Sequence, residues 1–121
     1  SEENEVRFEE IHCEDAEYLI VAFGSCARIA QKAMEHAREE GIKVGLFRPI
    51  TLWPFPSKAL KERAKQVKGI LTVELNSGQM IEDVRLAVEC KVPVEHFGRL
   101  GGIVPDPDEV IEAIKEKLIQ K

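Results

Sequence analysis

Three observations predict an α/β fold with a doubly wound, mostly parallel sheet and helices on both faces. Short apolar runs alternate with amphipathic segments along the chain. Each run is closed by glycine or a turn cluster. The runs are apolar throughout instead of alternating, as strands covered on both faces are.

The first run, "YLIVAF" at residues 18–23, is closed by Gly24 and is predicted as a buried strand. Ser25 then stands where a helix cap belongs. Ile29, Ala30, Ala33, Met34 and Ala37 recur at three- and four-residue spacing until Gly41 stops the helix. "KVGLF" at 43–47 is the second strand, and "RPITLWPFPS" follows it with three prolines that exclude helix or central strand over 48–56. Ser57 is expected to cap the next helix, with Leu60, Ala64 and Val67 inward and a lysine-rich outer face, ending at Gly69. "ILTVEL" at 70–75 is the third strand. The turn "NSGQ" opens a third helix carrying Met80, Ile81, Val84, Ala87 and Val88 inward to about Cys90. "VPVEHF" at 92–97 begins with proline and reads as a strand near the sheet edge. Asp106, Pro107 and Glu109 form a capping-box start for a last helix with Val110, Ile111, Ile114 and Leu118 inward. The strand order is left open by the sequence.

At 121 residues and 13.6 kDa there is room for one core. The opening "SEENEVRFEEIHCED" lacks an initiator Met and holds Glu2, Glu3, Glu5, Glu9, Glu10, Glu14 and Asp15. Residues 1–16 are therefore expected to be an acidic linker or cut end of a longer polypeptide, and 17–121 the folded domain. Seventeen basic residues against twenty-two acidic ones, with the basic residues scattered, argue against nucleic acid as a partner. The longest apolar stretch, six residues, is far short of the roughly 20 needed to cross a bilayer, so a cytoplasmic location with no membrane contact is expected. Cys13, Cys26 and Cys90 form no CxxC pair, which fits a reducing compartment, and the three histidines have no metal-ligand spacing.

In a sheet of this kind the loops after the strands gather on one edge, where ligands and partners bind. Here that edge collects "GSCAR", "RPITLWPFP", "LNSGQM" and "GRLGG". Asn76 and Gln79 can cap the third helix reciprocally, while the amides of Ser77, Gly78 and Gln79 could instead hold a small anion. No Gly-rich phosphate fingerprint surrounds them. Cys26 near a helix N-terminus could be a thiol nucleophile of a carrier or transferase, or a small buried residue. Glu74 at a strand end could be an acid or a cofactor-activating carboxylate, or could cap the adjacent helix or pair with Arg48 or Arg99. Trp53 and Phe55, held between prolines, suit a protein interface or the domain's own core. No catalytic residue and no metal ligand is assigned. The interface candidates are Arg48, Trp53, Phe55, Asn76, Gln79, Met80 and Arg99.

The pieces "AFGSCARIAQKAM", "GLFRPITLWPFP", "VELNSGQMIEDVR" and "GRLGG", in this order and spacing, resemble the transketolase C-terminal-like domain of the α subunit of 2-oxoacid:ferredoxin oxidoreductases, of the 2-oxoglutarate and branched-chain types. The resemblance runs from about residue 17 to 118. It implies an enzyme that decarboxylates a 2-oxoacid on thiamine diphosphate with magnesium, passes electrons through iron–sulfur clusters to ferredoxin, and forms an acyl-coenzyme A. It also implies that this domain binds none of these cofactors and serves docking and assembly. The implied partners are an upstream pyrimidine-binding domain of the same subunit and the thiamine-diphosphate-binding and ferredoxin-like subunits. Cys26 is not a required part of that family pattern.

Overall fold

The computed structural model describes residues 7–24, 26–50, 55–74, 79–89, 91–98 and 106–120. They form five strands, β1 (Phe8–Ile11), β2 (Tyr18–Ala22), β3 (Val44–Pro49), β4 (Gly69–Glu74) and β5 (Val94–Gly98). The helices are α1 (Cys26–Glu39), α2 (Ser57–Ala64), α3 (Gln79–Val88) and α4 (Pro107–Ile114), and a π-helical turn over Lys115–Ile119 extends α4. The sheet order is β1-β3-β2-β4-β5. β2, β3, β4 and β5 pair in parallel, and β1 lies antiparallel on β3.

The apolar runs have no polar face because each strand serves two cores. Ile20, Ala22, Leu46, Leu71 and Val73 pack with Met34 of α1 and Val110 and Ile114 of α4. Leu19, Val21, Phe47 and Ile70 point the other way, onto Leu60 of α2 and Val84 of α3. Each large side chain taken fully out of water here stabilises the fold by about 1.5–3 kcal/mol relative to leaving it exposed. Local signals end the helices as predicted in two places. Gly41 takes φ +90°, the left-handed region that glycine tolerates, while the Ile42 amide reaches back to the Ala37 carbonyl at 2.9 Å. At the start of α4, the Asp106 side chain accepts from the Asp108 amide at 3.1 Å and the Glu109 carboxylate accepts from the Asp106 amide at 2.9 Å.

The structure corrects four expectations. Residues 7–16 are not a linker. Phe8 stacks on Phe47 with ring centroids 5.2 Å apart, and the turn after β1 is held from both sides of the sheet. From α1, Arg38 donates to the His12 carbonyl at 2.7 Å, the Val44 carbonyl at 2.8 Å and the Asp15 carboxylate at 2.7 and 3.3 Å. From the α2 side, Arg63 grips Glu10 at 2.8 and 3.0 Å, and the Gln66 amide donates to the carbonyls of Cys13, Glu14 and Ala16. Acidic residues that look like a solvated tail are thus matched by cations distant in sequence.

Second, β3 runs through Arg48 and Pro49 instead of ending before them. The proline is tolerated as the last residue of the strand, in register with Phe8. Third, Ser57 is the first residue of α2 and caps nothing; Pro56 holds the cap position, and the Leu60 amide bonds its carbonyl at 3.2 Å. Fourth, α2 stops at Ala64. Tight three-residue bonds from Lys65 to Val67 follow, the Lys68 amide turns to the Glu17 carbonyl at 2.7 Å, and Gly69 already belongs to β4. Among the described residues, no helix is long and apolar enough to cross a membrane.

Candidate functional site

β2 is followed by a crossover to β3 on one side and β4 lies on its other side, so the winding reverses between β2 and β4. A crevice opens there, outside the carboxyl ends of the strands, and this is where open α/β sheets bind ligands and partners. The edge carries Phe23 and Gly24 after β2, Cys26 at the head of α1, Arg48 at the end of β3, Glu74 at the end of β4 and His96 near the end of β5. β1 also begins at this edge, because its antiparallel register sets Phe8 opposite Pro49.

Cys26 is buried, and burial followed by the Glu74 carboxylate pushes its thiol above the ordinary range. A nucleophilic thiol needs the opposite shift, so the helix N-terminus does not activate it. Cys13 lies on the other face of the sheet. Its thiol donates to the Leu46 carbonyl at 3.2 Å and is pushed up to about 11 by burial, with Glu10 adding to the effect.

Glu74 does not stand alone as an acid. Its Oε2 is 3.9 Å from Nδ1 of His96, and the fully buried Thr72 hydroxyl is 3.0 Å from the same nitrogen. Parallel pairing of β4 and β5 produces this arrangement by placing Thr72 beside His96. Burial lowers the His96 pKa; Glu74 opposes the shift, while Lys117 and Arg85 add to it. The surroundings therefore favour the neutral imidazole. The sequence gives His96 no distinguishing spacing, since its partners become neighbours only through the β4–β5 register.

Of the interface candidates, Arg48 pairs within the chain. Its guanidinium donates to Glu9 at 3.0 Å, between the cross-strand neighbours of β1 and β3. Phe55 is half-buried against the core under α2 and α3. Gln79 and Met80 begin α3, and their side chains lie outside the described residues, as do Trp53, Asn76, Arg99 and the caps expected of Ser25 and at Ser77 to Gln79. One residue the sequence reading overlooked is Arg28. With Gly24, Ala27, Ile29, Gln31, Leu46 and Arg48 it lines an open groove of ≈570 Å³ along the head of α1. Exposed Phe23 and Ile50 belong to the loops after β2 and β3 at the same edge.

Residues 16–110 match the family model of the pyruvate:ferredoxin oxidoreductase core domain II. The chain belongs to this family. It is 50% identical over 115 residues to the ketoisovalerate oxidoreductase subunit VorB of Methanothermobacter thermautotrophicus, covering 95% of this chain and 32% of that protein. It is 33% identical over 101 residues to the 2-oxoglutarate synthase subunit KorA of Methanothermobacter marburgensis, covering 84% and 27%. The chain thus spans about a third of the length of the curated relatives it matches. Two solved structures share the fold: a 2-oxoglutarate:ferredoxin oxidoreductase from Magnetococcus marinus, at TM-score 0.81 and 24% identity over 93% of this chain and 20% of that one, and a split-gene transketolase at TM-score 0.75 and 20% identity over 93% and 41%. The α/β, transketolase C-terminal-like architecture expected from the sequence is borne out.

Among the described residues no group of three His, Cys, Asp or Glu side chains could hold a metal ion. Cys13 and Cys26 face opposite cores, so their sulfurs do not form a shared ligand set. Among the described residues the donor set does not fit an iron–sulfur cluster, which takes four thiolate or imidazole ligands.

Proposed function

We propose that this chain is the C-terminal, non-catalytic docking and assembly domain of the α subunit of a thiamine-diphosphate-dependent 2-oxoacid:ferredoxin oxidoreductase. The whole enzyme would decarboxylate a branched-chain 2-oxoacid oxidatively to an acyl-coenzyme A and reduce ferredoxin, in the cytoplasm. Half-identity to a ketoisovalerate oxidoreductase subunit three times as long supports both the enzyme class and the branched-chain substrate. Thiamine diphosphate, magnesium and the iron–sulfur clusters belong, in this reading, to the other domains and subunits. The partners are the upstream pyrimidine-binding domain and the thiamine-diphosphate-binding and ferredoxin-like subunits.

One observation carries the docking role. The carboxyl edge presents Arg28, Arg48, Phe23 and Ile50 outward, while the Cys26 thiol is buried and the His96 imidazole is half-buried beside Thr72 and Glu74. Arginine and large apolar residues around a crevice are the composition of a protein interface, and none of the described groups is poised for covalent or acid–base chemistry.

Co-purification of the full-length α subunit with the thiamine-diphosphate-binding subunit tests the reading. Arg48→Ala and Met80→Ala at the edge are expected to weaken the complex about tenfold each, the scale of one lost interface contact. If neither loosens the assembly, this edge is not a docking surface. The alternative of a free-standing thiol carrier is disfavoured by the raised Cys26 thiol.

A further inference from the structure

Arg28 is exposed on the first turn of α1, faces the groove it shares with Arg48, and forms no ion pair or hydrogen bond among the described residues. It is an unusual position for a chain with a net charge of −5, in which Arg38, Arg48 and Arg63 are all matched by carboxylates. Arg48 has its Glu9, and at 41% exposure it keeps donors turned toward solvent. Two guanidiniums therefore border one groove, and among the described residues Arg48 alone of the two has a carboxylate partner, Glu9.

The path of the chain says what can reach that groove. β1 enters the sheet at the carboxyl edge, and Glu9, the register partner of Arg48, is two residues from the first described residue. Whatever precedes residue 1 in a longer polypeptide would be tethered eight residues from Glu9, which raises its local concentration at the groove to about the millimolar range. Even a modest charge-assisted contact is filled under that condition.

We propose that Arg28 and the groove at the head of α1 receive a carboxylate of the upstream part of the same polypeptide, fixing the orientation of this domain on the catalytic portion of the subunit. The proposal rests on the docking reading above and narrows it to one groove, one residue and one partner chemistry. Arg28 is a positioning residue in this arrangement; it touches no substrate.

The test uses the full-length α subunit in complex with its partner subunits. In the Arg28→Lys variant, a carbodiimide couples the new amine to any adjacent carboxylate as an amide, and peptide mass spectrometry identifies the acid. The expected product joins position 28 to an Asp or Glu of the upstream part. Hydrogen exchange of the amides from Ala27 to Gln31 is expected to be about tenfold faster in Arg28→Glu than in the native complex. A cross-link confined to residues 1–121, a cross-link to a different subunit, or no cross-link together with unchanged exchange in an intact complex would each overturn the proposal. Any of these results would leave the broader docking reading standing, since that reading falls only if the Arg48 and Met80 substitutions leave assembly unaffected.

Discussion

Gly45 in β3 lies beneath the turn that joins β1 to β2, and adding one methyl group there should dislodge that turn. A Cβ on Gly45 would lie 2.9 Å from the His12 carbonyl oxygen, 3.0 Å from Cβ of Ala16 and 3.0 Å from Cα of Cys13. Two of the three are backbone atoms, and neither can step aside easily. The His12 carbonyl is held by Arg38 at 2.7 Å, and the Cys13 carbonyl by Gln66 at 2.9 Å. Overpacking of this kind costs about 1–3 kcal/mol, and the lower chain entropy of unfolded alanine returns about 0.5 kcal/mol. For a chain of this length the net loss of about 0.5–2.5 kcal/mol corresponds to a fall in Tm of roughly 2–10 °C. Gly69→Ala is the internal control. Its Cβ would meet Cδ2 of Leu118 at 2.9 Å, an equally short distance, but to the far end of a side chain that can rotate away. Calorimetry of the two variants should show a large loss for Gly45→Ala and little change for Gly69→Ala. Hydrogen exchange should show that the loss begins with deprotection of β1. Equal effects of the two substitutions, or a neutral Gly45→Ala, would refute the reasoning that backbone clamping decides the outcome.

Other outcomes follow from the charges. Arg63→Ala removes the paired donors on Glu10 and should cost about 1–2 kcal/mol in chemical denaturation, with Arg63→Lys recovering only part because an ammonium cannot grip both oxygens. Since the folded-state pKa of His96 lies below its ordinary 6.5, the unfolded chain takes up that proton first. Stability should therefore be full above about pH 6.5 and decline as the pH drops below it. In His96→Asn, which retains a polar atom near Thr72, the decline should be shallower; an unchanged pH profile of Tm would show that His96 is not its source. Cys26 should alkylate slowly at neutral pH and accelerate only above the ordinary thiol range, whereas a midpoint below that range would revive the carrier alternative.

Much of the architecture was legible because its signals are local. Gly41 and the Asp106–Glu109 box announce helix ends within four residues, and "YLIVAF" declares a strand covered on both faces in a single run. What escaped depends on contacts far apart in sequence. β1 is four residues long with two glutamates, and its place in the sheet follows from Phe47 and from Arg63, fifty-three positions from Glu10. Ser57 has the right side chain for a cap, yet Pro56 already sets the first turn, so residue type was a misleading guide there. The site divides in the same way. The gathering of loops at the carboxyl edge follows from parallel winding alone. The pairing of Thr72 with His96 requires the strand order, and the exposure of Arg28 requires knowing which turns of α1 the sheet leaves uncovered.

The acidic strand at the sheet margin also bears on whether copies of this domain pair with one another. β3 carries Leu46 and Phe47 in a row that would be an open, apolar edge without β1 beside it. Such edges recruit strands from other molecules. β1 covers that edge and presents in its place a four-residue strand bearing Glu9 and Glu10, too short and too charged to template further pairing. A domain boundary drawn at residue 16, where the match to the family model begins, would remove this guard and is expected to yield a chain that aggregates at concentrations where the longer one stays monodisperse.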